Sequence, residues 1–156
     1  DALVRLARVP GISADGYPAQ ELERSAAAVA QEMRSSGLED VEIVRIGGAH
    51  PYVVGDWLHA VASEATAMTE VYPAVQPPAR HDTRPTPACV PTLRADGRLY
   101  GRGVVDDKAG LMVHLAAVRA CFTAGGAPPL SDRTSHTFVP ATSSDPRRPA
   151  AHNTAT

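Results

Sequence analysis

Two cysteines in 156 residues, Cys89 and Cys121, are too few for a disulfide framework, and their spacing matches no zinc knuckle. A reducing cytoplasm is therefore the expected compartment. Long hydrophobic runs are missing as well: no stretch approaches the roughly 18 apolar residues of a membrane span, and no signal peptide is visible at the start. Nor does charge of one sign dominate. Fifteen Lys and Arg stand against 17 Asp and Glu, for a formal net charge of -2, so there is no electrostatic case for a nucleic-acid or anionic-membrane partner. No internal repeat is evident. What remains is a chain for one domain, long enough to bury a core. It opens at Asp1 without a methionine, which points to a processed or trimmed terminus.

The stretch on which any function has to rest runs from Gly97 to Gly110. Arg98-Leu99-Tyr100 reads as a short strand, Gly101 and Gly103 permit a turn that bulkier residues would strain, and Asp106-Asp107-Lys108 opens a helical pattern running to about Thr123. This is not a phosphate loop. Lys108 is followed by Ala109 where a Walker motif needs Ser or Thr, and Asp106 stands where the dinucleotide pattern needs its third glycine. Two readings stay open for the carboxylates: a helix cap with a first-turn acid, or a hard anionic ligand for a metal at a strand-to-helix junction.

Elsewhere the periodicities predict an α/β domain. Residues 2–8 form a short apolar helix candidate ended by Pro10 and Gly11. A second helix is expected from about Pro18 to Ser36, with Leu22, Ala26, Val29 and Met33 on one face and Gly37 as the stop. Its charged residues Glu21, Glu23, Arg24 and Glu32 read as a solvated face. Val41 to Ile46 and Tyr52 to Leu58 read as strands, and after Asp106 a helix carries Leu111, Leu115, Val118 and Phe122 at helical spacing, with Gly125-Gly126 as its end. Repeated helix and strand argue a mixed, mostly parallel sheet. His50 and His59 read as exposed loop histidines, and His114 as a core or boundary residue.

Leu99-Tyr100-Gly101-Arg102-Gly103, two small residues, then Asp106-Asp107-Lys108-Ala109-Gly110-Leu111-Met112 resembles the signature of the di-zinc dipeptidase, carboxypeptidase and aminoacylase family of metallopeptidases. Upstream, Val9-Pro10-Gly11-Ile12-Ser13-Ala14 is similar to the turn after that family's opening helix. Gly37 to Glu42 is similar to its first helix-to-strand junction, Val54 to Ala60 to its second strand, and Val75-Gln76-Pro77-Pro78 to the segment after its first metal motif. The resemblance implies an α/β catalytic domain, two zinc ions, Asp106 as the carboxylate bridging them, and a small peptide or acylated amino acid as substrate.

The same comparison shows what is absent. The family's His-x-Asp should precede Val75, but Tyr72, Pro73 and Ala74 stand there. The segment from Glu64 to Glu70 is too polar for a buried parallel strand. Residues from Ala79 to Pro91, His81-Asp82 included, read as a loop. After Pro129 the pattern stops: no Glu-Glu follows, and Ser131 to Thr156 has the composition of a solvated tail, with Thr137-Phe138-Val139 as a short strand candidate. The sequence is thus expected to form an incomplete catalytic domain at 1–130, irregular at 64–90, followed by a disordered C-terminal tail at 131–156. Pattern lost at Glu64, recovered at Pro91 and lost again after Pro129 is what reading-frame shifts would produce. As one ligand does not hold a catalytic zinc, the expected present state is an inactive fragment or degenerate family member. The alternative is a non-catalytic, partner-binding remnant. An incomplete sheet also leaves an edge open to self-association.

Overall fold

The computed structural model of the protein describes residues 2–11, 18–60, 66–71, 90–101, 103–129 and 131–137; of 66–71, 106, 107 and 137 it describes the backbone alone. Among the described residues three helices, α1 (Ala2–Arg8), α2 (Ala19–Ser35) and α3 (Gly110–Gly125), accompany six strands: β1 (Glu39–Val44), β2 (Tyr52–Trp57), β3 (Thr66–Val71), β4 (Thr92–Leu93), β5 (Leu99–Tyr100) and β6 (Ser131–Thr137). A π-helical turn, Val104–Ala109, leads into α3. The expectations for 72–89 and 138–156, which include His81, Cys89 and most of the tail, lie outside the described residues.

The helix α2 forms where the apolar spacing places it. Leu22, Ala26, Val29, Ala30 and Met33 are buried, and the chain leaves the helix through Gly37 at φ 96°. There the Gly37 amide donates to Arg34 O and the Leu38 amide to Met33 O, closing the helix end with a left-handed residue. A Cβ on Gly37 would stand 2.5 Å from Cε2 of Phe122. Gly37→Ala therefore combines positive-φ strain with a clash and is expected to lower stability by about 1–2 kcal/mol, read as a drop in urea midpoint. An unchanged midpoint would mean that neither the strain nor the clash is felt.

The main sheet has strand order β1-β2-β6-β3. It is mixed, but not mostly parallel: β1 with β2 and β2 with β6 are antiparallel, and β3 with β6 alone is parallel. The reason lies in the connections. Residues 45–51 are too few for a crossover between parallel strands, whereas the long route from β3 through α3 to β6 suffices. The strand β1 begins earlier than its apolar alternation predicts because Asp40, at φ 47°, makes a register irregularity between Glu39 and Glu42.

Leu111, Leu115 and Val118 of α3 join Leu6, the α2 stripe, Leu38, Val41, Val53 and Trp57 in one core, with Phe122 edge-on to Trp57. Three expectations fail here. The segment 66–71, read as too polar for a parallel strand and as part of an irregular stretch, forms β3, because its backbone pairs in parallel with β6 over its whole length. Glu32 is not on the solvated face of α2; its side chain is 8 % exposed, with Oε1 2.7 Å from Arg5 Nη2 and Oε2 3.1 Å from Arg119 Nη2. And the first residues of the segment read as tail, 131–137, form the strand between β2 and β3. Asp132, Thr134 and His136 point one way along it and are buried. In register they lie beside Trp57, Gly55 and Val53 of β2. The strand is polar in composition yet central, because its backbone pairs on both sides and two of its inward side chains, Asp132 and Thr134, meet His114 of α3.

Candidate functional site

The site is built from the hairpin outward. Between β4 and β5 the Arg94 amide donates to Arg98 O and the Arg98 amide to Asp96 Oδ1, and the Arg94 guanidinium lies 4.0 Å from the ring centre of Tyr100 in β5. Gly103, at φ 73°, then turns the chain into the π-helical turn, as the glycine-rich stretch predicts. The Lys108 amide donates to Gly103 O at 3.2 Å, a bond spanning five residues that widens the helix at this point.

Asp106 and Asp107 stand inside this turn. Neither is the N-cap of α3, whose cap position is Ala109 in a right-handed helical conformation. The helical path is already under way at Val104, so the two carboxylate residues occupy its opening turn, where negative charge is favoured by the helix dipole. Their side chains lie outside the described part of the structure.

Lys108 is described. Its ammonium donates to Leu6 O at 2.7 Å and to Val9 O at 2.6 Å, the carbonyls at the C-terminal end of α1. Leu6 O also accepts from the Val9 amide at 3.1 Å, so the lysine adds a second donor to that carbonyl, a donor to Val9 O, and a positive charge at the negative end of the helix. Val104 is buried beneath the turn while Val105 is 80 % exposed.

Under α3 lies a polar cluster that spacing did not reveal. His114 Nε2 is 3.0 Å from Asp132 Oδ2 and 2.7 Å from Thr134 Oγ1, and Thr134 Oγ1 donates to the same carboxylate oxygen at 3.0 Å. A carboxylate only accepts, so the ring proton sits on Nε2 and is shared between both partners. Asp132 Oδ1 has no hydrogen bond among the described residues. His136, two residues further along the inward face, is pushed down to about 4, first by burial and then by the positive charge of Lys108. His114 is thus the boundary residue its helical position predicts. Its partners escaped notice because Ser131 to Thr137 reads as tail by composition. The usable signal was the alternation of Asp132, Thr134 and His136 at strand period.

The other histidine expectations stand differently. His59 is exposed, as expected, but strand pairing brings it within 2.6 Å of Glu39 Oε2, a neighbour that sequence spacing does not show. His50 is half-buried before Pro51.

Among the described residues no group of three His, Cys, Asp or Glu side chains could hold a metal ion. The described donors therefore do not fit a zinc pair: His114 and Asp132 hold each other and Thr134, and His59 and Glu39 make an isolated pair at the surface. Positions 72 and 74, where the family resemblance wants histidine and aspartate, are Tyr and Ala.

Residues 74–132 match the model of Peptidase family M20/M25/M40, a span holding the hairpin, the π-helical turn and α3. No curated protein sequence matches the chain. Among solved structures, the dipeptidase Dug1p from Saccharomyces cerevisiae is similar with a TM-score of 0.69 at 21 % identity, over 87 % of this chain and 30 % of that one. Human carnosine dipeptidase 1 is similar with a TM-score of 0.71 at 27 % identity, over 92 % of this chain and 32 % of that one. The M20 family metallo-carboxypeptidase Sso-CP2 from Sulfolobus solfataricus gives 0.70 at 20 % identity, over 87 % and 29 %. The chain thus spans about a third of the length of these relatives.

Proposed function

Because the chain carries part of the fold of the M20 metallopeptidases, we propose that it is an N-terminal part, or a degenerate form, of the catalytic domain of a zinc-dependent peptidase. Its substrates would be dipeptides, peptide C-termini or acylated amino acids, and this chain alone does not hydrolyse them. The observation that supports the reading is the succession of short strand, Gly103 turn, Asp106-Asp107-Lys108 and α3 inside the segment that matches the family. Asp106 is the residue offered to metal. Bound zinc supplies such enzymes with an activated water and a polarised carbonyl. What this chain contributes is the placing of one carboxylate-bearing turn between β5 and α3. Inactivity follows from Tyr72 and Ala74 at the first metal motif, since a catalytic zinc takes about three protein ligands.

A second reading, a partner-binding remnant, is favoured by the apolar residues left on the outside of the turn and α3, with Val105 80 % and Val113 71 % exposed. Self-association through a strand edge belongs with that reading, and a monomeric peak in size-exclusion chromatography would count against it. For compartment we propose the cytoplasm. No described helix is long and apolar enough to cross a membrane.

Zinc titration by calorimetry tests the main reading. The expected outcome is no tight pair of sites, with any weak binding abolished by Asp106→Ala, and no release of amino acid from dipeptides. Two ions bound at micromolar strength or better, or turnover that survives repurification, would show that the ligand set is complete and the proposal of inactivity wrong.

A further inference from the structure

We propose that Lys108 is a positioning residue: by tying the Asp106 turn to the carbonyl end of α1, it fixes where that carboxylate-bearing turn stands. The inference rests on the reading of Asp106 as the residue offered to metal, and adds to it the element that holds it. Three observations carry it.

The first is reach. Lys108 lies 102 and 99 residues from its two acceptors, Leu6 and Val9, so the contact joins the chain's first helix to the turn rather than bracing the turn against itself. The second is geometry. Both bonds are short, and both go to carbonyls at the end of α1, one of which also accepts from the Val9 amide, where an ammonium meets the negative end of the helix dipole. The third is the turn's entry. It begins at the left-handed Gly103, a position where the backbone imposes little direction of its own, so a contact from outside the turn bears on where the turn stands. Val104 is anchored in the core on one side of the aspartates. Lys108 is the anchor on the other.

A lysine suits this place better than an apolar residue of equal length. Its stem crosses apolar surface while its three donors reach two acceptors on a different element. Arginine keeps the charge and the donors and should hold the same carbonyls.

The test is backbone amide exchange on the whole chain, comparing the wild type with Lys108→Met and Lys108→Arg. In Lys108→Met the amides of 104–110 are expected to exchange about tenfold faster, as local opening no longer has to break the contact with α1. Those of Val29, Ala30 and Met33 inside α2 are expected to keep their rates, and Lys108→Arg should restore most of the protection. A uniform rise across α2 and α3 overturns the proposal, because Lys108 would then support the fold as a whole; so does no change at 104–110. Should Lys108→Met fail to fold, Lys108→Gln, which is too short to reach both carbonyls, decides: faster exchange at 104–110 with α2 unchanged supports the proposal, and unchanged exchange at 104–110 overturns it.

A second measurement separates this inference from the reading it rests on. Manganese(II) added to the wild type should broaden the amide signals of 104–110, and Asp106→Ala should abolish the broadening while leaving the exchange pattern as it was. Broadening that survives Asp106→Ala would remove Asp106 as the metal-facing residue without touching the result for Lys108. Broadening unchanged in Lys108→Met would show that the turn keeps its position without its strap, and would overturn the proposal.

Discussion

Acidification from pH 7 to pH 4 is expected to cost the fold about 3 kcal/mol through His136 alone. In the folded chain this imidazole is pushed from its ordinary 6.5 to about 4, with burial the larger cause and the Lys108 charge the smaller. Once unfolded it titrates near 6.5 again. Between those values the unfolded chain binds a proton that the folded chain refuses, so stability falls as the pH drops through this window. Above 6.5 both states hold a neutral ring, and below 4 both are charged, so His136 adds no further slope at either end. Urea unfolding at a series of pH values measures the loss, and His136→Leu, which replaces a buried titrating ring with an apolar side chain, should flatten the curve between pH 6.5 and 4. An equal acid loss in that variant would place the proton uptake elsewhere, for example at the carboxylates.

The second large effect is expected at Glu32. Its carboxylate is buried in α2 and shared between Arg5 from α1 and Arg119 from α3, so three helices meet at one charge. Arg119→Met leaves Oε2 without its guanidinium and is expected to cost about 2–3 kcal/mol. Breaking a fully buried pair costs more, but Arg119 is 38 % exposed and water can partly replace it. Glu32→Met should cost less than Arg119→Met, because it removes the buried charge along with its partners and leaves two arginines that reach solvent. The order of the two variants in a denaturant series is the deciding result. If Glu32→Met is the worse of the two, the carboxylate is stabilising in its own right rather than a group whose burial must be compensated.

Both effects arise from residues whose surroundings local pattern could not supply. Glu32 follows Val29 on α2 and has the same sequence look as Glu21 or Glu23. Only the approach of α1 and α3 makes it interior. His136 lies in a stretch of Ser, Thr, Arg and Asp that composition assigns to a solvated tail, and it became interior because β2 and β3 each pair with β6.

The residues alone did determine the helical stripes of α2 and α3, the left-handed exit at Gly37, the β1 and β2 segments, and the turn that carries Asp106 between β5 and α3. They could do so because each depends on contacts a few residues apart, which period 3.6, period 2 and glycine report directly. They also show Tyr72 and Ala74 at the positions where the resemblance expects histidine and aspartate. Only the tertiary structure decided the direction of the strands, the polar centre built from His114, Asp132, Thr134 and His136, and the tie from Lys108 to α1. Each of these joins groups distant along the chain or sets a polar side chain inside, and burial of that kind is a property of what packs against a residue, which no local period encodes.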